Sequence, residues 1–433
     1  MDGLATKQIL DLIGIGIGPF NLGLAALLEK TECNSLFFDK KPRFEWHPGM
    51  LIEGTTLQVP FMADAVTMVD PTSRYSFLNY LHEQNRLYQF YFLEKFHIPR
   101  NEYNHYCQWI AEQLPQLQFG SEVENIERTK DGYYHVTVYS SSREERKTYV
   151  TKHIVMGIGT KPYVPDRFRL ANQDRIFHSS EYMNKRRNTR NAKSVTIIGS
   201  GQSAAEIFYD LLSKQPDNHY ELSWYTRSKG FYPMEYSKLG LEHFTPDYAK
   251  YFYQLPKEKK QGVLQNQALL YKGISFSTIA DIYDLLYERS VGSNDLNVHL
   301  QALTNLVSVE EWNDQFRLSL YQHEQETSIS VTTDIVILAT GYHPYIPDFL
   351  KGIEHLLEWD ENGQLLIQED YKVKTKVEGQ NNLFVQNGEL HTHGVGAPDL
   401  GLGAFRSASI INEIAGEKIY KTYEKNVFQQ FGV

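Results

Sequence analysis

The chain has 433 residues, enough for two to three domains with substantial cores. It carries 43 Lys and Arg against 53 Asp and Glu, a net charge of −10. That balance argues against a nucleic-acid partner, which is met by a basic face, and is compatible with a small cationic ligand. No apolar run is long enough to span a bilayer, and Met1–Lys7 lacks the basic-then-apolar layout of a signal peptide, so a cytoplasmic protein is expected. The two cysteines, Cys33 and Cys107, form no C-x-x-C, which argues against a dithiol relay.

The first predicted strand, Ile9 to Ile13, runs into Gly16-Ile17-Gly18-Pro19-Phe20-Asn21 and a helical pattern at Leu22, Leu24, Ala25, Leu27 and Leu28. Strand, glycine turn and helix in this order form a dinucleotide fingerprint, with the pyrophosphate resting on the helix N-terminus. Asn21 replaces the third glycine, so strand and helix are expected to pack slightly less closely there. Asp39 ends the next strand, Ser35 to Phe38, at the spacing of a ribose-binding acid. Helical patterns follow at 71–96 and 103–113. A polar turn at Ser140–Lys147 separates two strands, the second ending in Ile154-Val155-Met156.

A second fingerprint repeats the layout. Val195 to Ile198 leads into Gly199-Ser200-Gly201-Gln202-Ser203-Ala204 and a helix. The strand after it, Leu222 to Thr226, ends in Arg227 with Ser228 and Lys229 behind it. Cations at that position favour the 2′-phosphate of NADP over the bare ribose of NAD. A further helical pattern spans 274–288, and the strand Asp334 to Leu338 runs into Ala339-Thr340-Gly341-Tyr342. Two nucleotide sites of opposite charge in one chain point to redox chemistry. The expected fold is α/β: two Rossmann-like dinucleotide-binding domains, the second inserted in the first, with a smaller mainly helical substrate cap. The first dinucleotide-binding domain is assigned to 1–165 and 331–433, the second to 166–330, and the cap to 240–290 with further helices at 71–113. His391-Thr392-His393 is the one close histidine pair; it lacks cysteine or carboxylate company at metal spacing, so no metal is expected.

Gly14–Leu22, Phe44–Met50, Asp70–Leu81, Phe177–Tyr182, Leu338–Tyr342, Thr392-His393-Gly394 and Leu400-Gly401-Leu402 together resemble the N-hydroxylating flavin monooxygenases of hydroxamate siderophore biosynthesis. These are the lysine and ornithine N-hydroxylases and their diamine-acting relatives. The resemblance implies FAD on the first glycine turn (Gly16, Gly18, Pro19, Asn21, Asp39), with Gln58, Thr340, Gly341, Leu400 and Gly401 nearby. It implies NADPH on the second (Gly199, Gly201, Gln202, Ser203, Arg227, Lys229). It also implies a C4a-hydroperoxyflavin attacked by a neutral amine, and catalytic-site positions for Gln58, Trp46 and His393. Plainer readings stand beside these: Gln58 as a polar strand residue, Trp46 as a core aromatic and His393 as a polar turn residue; the helix beginning near Asp399–Leu402 could point its N-terminus at the flavin, or Asp399 could be only its cap. Self-association as a dimer or tetramer is a further implication.

Relatives acting on ornithine or lysine resemble Phe-x-Lys-Asp after the glutamine, where the lysine pairs with the substrate carboxylate. Here Gln58 is followed by Val59-Pro60-Phe61-Met62-Ala63-Asp64, which puts Ala63 in the lysine position. A methyl group cannot neutralise a carboxylate, and burying one unpaired costs several kcal/mol. The expected substrate is therefore an aliphatic diamine, putrescine before cadaverine, hydroxylated with dioxygen. Tyr271 stands where some relatives have an asparagine. Glu389 and Glu235 are candidates for the far ammonium, each with a plain ion-pair alternative. The readings set beside this one are a lysine or ornithine hydroxylase, a peroxide-forming NADPH oxidase, and a redox-sensing flavoprotein. A Baeyer–Villiger enzyme is disfavoured because its F-x-G-x-x-x-H-x-x-x-W signature is missing.

Overall fold

The computed structural model describes residues 9–292, 296–377 and 379–433; Met1–Lys7, read above for a leader, lies outside them. The chain opens with β1 (Ile9–Ile15), whose residues beyond the first few are almost all buried, as expected for a strand covered on both faces. It turns at Gly16 into α1 (Pro19–Leu27), which has Gly18 at its N-cap and Pro19 in its first turn, and returns as β2 (Ser35–Asp39), parallel to β1.

Next come α2 (Phe77–Glu83), α3 (Leu87–Leu93) and α4 (Arg100–Gln113). These helices were expected to belong to a cap, but α2 and α4 are part of the first unit's core. Phe77, Tyr80, Leu81, Tyr103, Tyr106 and Ile110 share one cluster with Leu22 and Leu24 of α1. Of these three helices, α3 alone has no buried residue. β3 (Leu117–Phe119) extends the parallel edge beside β2. An antiparallel meander, β4 (Ser121–Arg128), β5 (Tyr134–Ser140) and β6 (Glu145–Met156), then brings β6 back parallel to β1, with the polar turn at its predicted place.

The chain crosses through β7 (Lys161–Pro162) into the second unit. There β8 (Ile176–His178), α5 (Tyr182–Lys185), β9 (Ser194–Ile198), α6 (Gln202–Asn218) and β10 (Glu221–Tyr225) repeat the strand–turn–helix–strand layout. Four short helices follow: α7 (Lys238–Leu241), α8 (Pro246–Gln254), α9 (Lys257–Asn266) and α10 (Ala268–Tyr271). They lead to α11 (Phe276–Ser290), which was expected in the cap but packs on α6 through Ile282. β11 (Val298–Gln301) is followed by an antiparallel set, β12 (Thr304–Trp312), β13 (Gln315–Gln322) and β14 (Thr327–Thr333), and then by β15 (Ile335–Leu338).

β15 lies between β9 and β8 in a parallel sheet ordered β11-β10-β9-β15-β8. The inserted unit therefore runs through Leu338, which moves the expected boundary at 331. The return crossing, β16 (Tyr342–His343), pairs antiparallel with β7, so the two connections run side by side. β17 (Leu383–Val385) completes the first sheet beside β6. The chain ends with α12 (Leu390–His393) and α13 (Gly403–Ala415), the latter lying on α1.

The two units are locked together by buried polar contacts. Arg100 of α4 forms a two-pronged ion pair with Glu206 of α6, at 2.7 and 2.8 Å, and donates to Met50 O at 2.9 Å. A Cβ on Gly49 would stand 1.6 Å from Ser180 O, so only glycine allows this backbone approach.

Candidate active site

Ligands of parallel sheets bind beyond the carboxyl ends of the strands. In both units that edge carries a glycine turn. Gly16 has φ +85°, and a Cβ there would meet Gly157 O at 2.6 Å, which excludes any larger residue. Gly18 and Gly201 cap α1 and α6 without any side-chain hydrogen bond to the first-turn N–H groups, and a Cβ on Gly201 would meet nothing within 4 Å. Uncapped N–H groups facing open space suit a pyrophosphate at each turn, so the residues fit two dinucleotides.

The ribose positions differ as their charges do. Asp39 accepts from Ile17 N–H at 2.8 Å and from Lys41 N–H at 2.8 Å, which fixes the carboxylate at the first turn. Arg227 and Lys229 are exposed just beyond β10 and have no ion pair or hydrogen bond among the described residues. Ser203 lies in the first turn of α6. Thr340 and Gly341 sit at the crossing between units, where the Thr340 hydroxyl donates to Tyr163 O and Gly341 O accepts from His178 Nε2 at 3.0 Å.

Four expectations need correction. Asn21 does not loosen the first turn. It is fully buried, donates to Gly16 O (2.8 Å) and Ile15 O (3.2 Å), and accepts from Gln386 Nε2 (2.9 Å), so it ties strand ends together and is not aimed at a ligand. The Gln202 side chain is likewise committed, to Ser275 N–H at 2.7 Å, Glu206 at 3.0 Å and Thr278 at 3.0 Å, which leaves only its backbone for a phosphate. Glu389 is 0 % exposed and pairs at 2.5 Å with Arg406, whose guanidinium lies 4.8 Å from the Phe20 ring centroid; it has no carboxylate free for a substrate. His393 stacks on Tyr371 at 4.6 Å, with its nitrogens at Thr392 Oγ1 (2.9 Å) and Glu369 O (3.2 Å). Burial drives its pKa down to about 3, which keeps the ring neutral, and both of its nitrogens are engaged within the chain.

Other expected residues converge. Gln58 Nε2 reaches Ser275 Oγ at 3.4 Å and Met234 Sδ at 3.5 Å. Ser275 N–H is the group held by Gln202, so side chains from both glycine-turn units meet at Ser275. Ala63 is 4 % exposed. Its position is fixed by Asp64, which accepts from Val66, Thr67 and Phe77 N–H and from the Thr67 hydroxyl at 2.6–3.0 Å. Leu400 and Gly401 form the turn opposite, and a Cβ on Gly401 would stand 3.9 Å from the Ala63 methyl.

Trp46 packs edge-on against Tyr103 and His47 at 5.0 Å. Tyr271 packs beside Tyr248, Phe252 and Val395 in the helical segment's own small core. Glu235 is exposed and accepts from Ser237 N–H at 2.8 Å, next to Met234. Sequence reading missed Ser275, Met234 and the Arg100–Glu206 pair, which are distant in sequence and carry no motif. A cavity of about 1380 Å³ lies away from both turns, at the β4–β5 turn and the end of α13; there Lys372 is paired with Asp370 and Glu413 and Lys152 with Asp11.

The L-lysine 6-monooxygenase/L-ornithine 5-monooxygenase family model matches residues 8–344. The chain belongs to this family. A putrescine N-hydroxylase of Shewanella oneidensis is 45% identical over 98% of this chain and 84% of its own length. A cadaverine monooxygenase of Erwinia amylovora, solved with FAD bound, superposes with a TM-score of 0.94 at 40% identity, covering 98% of this chain and 99% of that one. An ornithine N-hydroxylase of Kutzneria, solved with reduced FAD, NADP+ and L-ornithine, gives 0.88 at 28% identity, covering 94% and 99%. Family membership makes the protein a flavin-dependent N-monooxygenase.

Proposed function

We propose that the protein uses FAD and NADPH to hydroxylate one primary amine of an aliphatic diamine, putrescine before cadaverine, for hydroxamate siderophore biosynthesis. The observation that carries this reading is Ala63: a buried methyl on a turn fixed by Asp64, at the position to which the family resemblance assigns the carboxylate-pairing lysine of amino-acid hydroxylases. The diamine-acting proteins similar to this chain over nearly its whole length support it.

When bound, NADPH supplies the electrons and FAD the oxygen activation; no side-chain nucleophile is required. The protein's own residues bind and orient. Gln58 is anchored to Ser275 and Met234 and presents its amide at the junction between the units. The Ala63 turn holds the amine's chain in a dry environment that favours loss of a proton from the reacting end. Arg100 and Glu206 keep the two nucleotide edges in fixed register.

Location in the cytoplasm, where NADPH is supplied, and self-association belong to the same reading. Tyr88, Tyr91, Phe92 and Phe96, on and just after α3, are 61–81 % exposed. Together they offer on the order of 500 Å² of aromatic surface per copy, near the lower bound for a paired interface. Light scattering should find an oligomer in the wild type and a monomer in Y88E/F92E.

The functional test is product stoichiometry. With putrescine, NADPH and dioxygen, hydroxylamine should form in a ratio near one per NADPH consumed. Peroxide formed in that ratio instead, with no hydroxylamine, would favour the oxidase reading.

A further inference from the structure

The reading above leaves the second ammonium of the diamine without a partner, since Glu389 is paired to Arg406 and Glu235 stands exposed on its loop. We propose that Asp399 anchors the non-reacting ammonium, and that Asp399 together with Ala63 selects a substrate charged positively at both ends. This proposal rests on the diamine reading.

Asp399 precedes the Leu400–Leu402 turn and caps it, its Oδ1 accepting from Gly401 N–H at 2.7 Å. Oδ2 has no hydrogen bond or ion pair among the described residues. A methyl built on Gly401 would touch both partners of the proposed pocket, at 2.8 Å from Asp399 Oδ1 and 3.9 Å from Ala63 Cβ. Carboxylate and methyl thus both lie beside Gly401.

The contacts close a ring. Gln58 reaches Met234, and the same loop carries Tyr236, whose phenol feels the Asp399 charge and bonds His97 Nε2 at 2.7 Å. Asp399 adjoins Gly401, Gly401 adjoins Ala63, and Ala63 lies five residues after Gln58. Gln58, Ala63, Gly401 and Asp399 thus follow one another through neighbouring positions, and Asp399 Oδ2 accepts no hydrogen bond among the described residues.

Burial pushes the Asp399 pKa up to about 6, despite the Gly401 N–H and the more distant Arg406, as expected of a carboxylate short of a counter-charge. An alkylammonium supplies that counter-charge. The carboxylate of ornithine or lysine would instead face a like charge with no lysine to offset it, so the same two positions attract a diamine and repel an amino acid.

The test uses the intact FAD-containing enzyme and two amines of equal length, putrescine and n-pentylamine, whose tail is neutral. Asp399→Asn keeps the cap acceptor for Gly401 N–H while removing the charge. It should lower kcat/KM for putrescine about 100-fold and leave n-pentylamine within about threefold, with flavin content unchanged. Equal loss on both amines, or no loss on putrescine, would overturn the assignment of Asp399 and leave the parent reading standing. Wild-type enzyme that hydroxylates neither diamine nor monoamine would overturn the parent reading, and this proposal with it.

Discussion

The two glycine turns have one geometry and opposite surroundings. At the first, Asn21 is fully buried and ties Ile15, Gly16 and Gln386 together, and Asp39 is held by two backbone N–H groups. At the second, the Trp224 indole Nε1 donates to Gly199 O at 2.7 Å, Gln202 faces α11, and the ribose-side cations Arg227 and Lys229 stand in solvent. A buried, fully satisfied polar network over-determines a turn, whereas exposed charges bind through screened attraction. On this contrast the first turn should hold its dinucleotide more tightly than the second.

The strongest way to break this comparison is to spoil each turn in the same way. Gly16→Val forces a side chain into φ +85° and against Gly157 O, and should give a folded but colourless protein with almost no bound flavin. Gly199→Val collides with Ala339 O at 2.3 Å, and should leave the flavin in place while abolishing its reduction by NADPH. Absorbance spectra with and without NADPH distinguish the two, and circular dichroism confirms folding.

Next in size is the charge contrast. Arg227→Ala with Lys229→Ala should raise KM for NADPH about 10–100-fold, as loss of charge-assisted bonds to a phosphate would, with little change for NADH. The wild-type advantage of NADPH should shrink as salt is added. Asn21→Leu strands the Gln386 amide in the core and should cost about 1–3 kcal/mol, read as a lower thermal midpoint and weaker flavin retention.

Both glycine turns and their flanking strands were legible in the sequence because the motif is local: strand, glycines and helix lie within some twenty residues. Ala63 was legible for the same reason, as a departure inside a short familiar string. What failed was tertiary. The helices at 77–83 and 100–113 were assigned to a cap because periodicity shows that a face is apolar without showing what it packs on. His393 looked functional because the family resemblance puts its segment beside the flavin, and Glu389 because a carboxylate just before His391 suits a far ammonium. Their partners, Tyr371 and Arg406, can be found only in three dimensions. Asp399 was visible as a cap, but its proximity to Ala63 depends on Gly401 bringing two distant segments together.

The smallest predicted effect concerns pH. With an Asp399 pKa of about 6, raised by burial, its charge is present above that value and lost as pH falls through it. Arg406 is the cation acting on it from a distance, and the Tyr236 phenol nearby, pushed up by burial, stays neutral in that range. Because kcat/KM reports the free enzyme, the putrescine to n-pentylamine ratio should be flat above pH 7 and fall by less than about tenfold between pH 6.5 and pH 5.5.

Substrate selection is the central claim, and it is tested most directly by hydroxylamine formation measured side by side with putrescine, cadaverine, L-ornithine and L-lysine under NADPH and air. The account predicts turnover of both diamines, putrescine first, with each amino acid lower by at least about 100-fold in kcat/KM. Preference for ornithine or lysine over both diamines would contradict it, because some other cation would then be doing the work that Ala63 cannot.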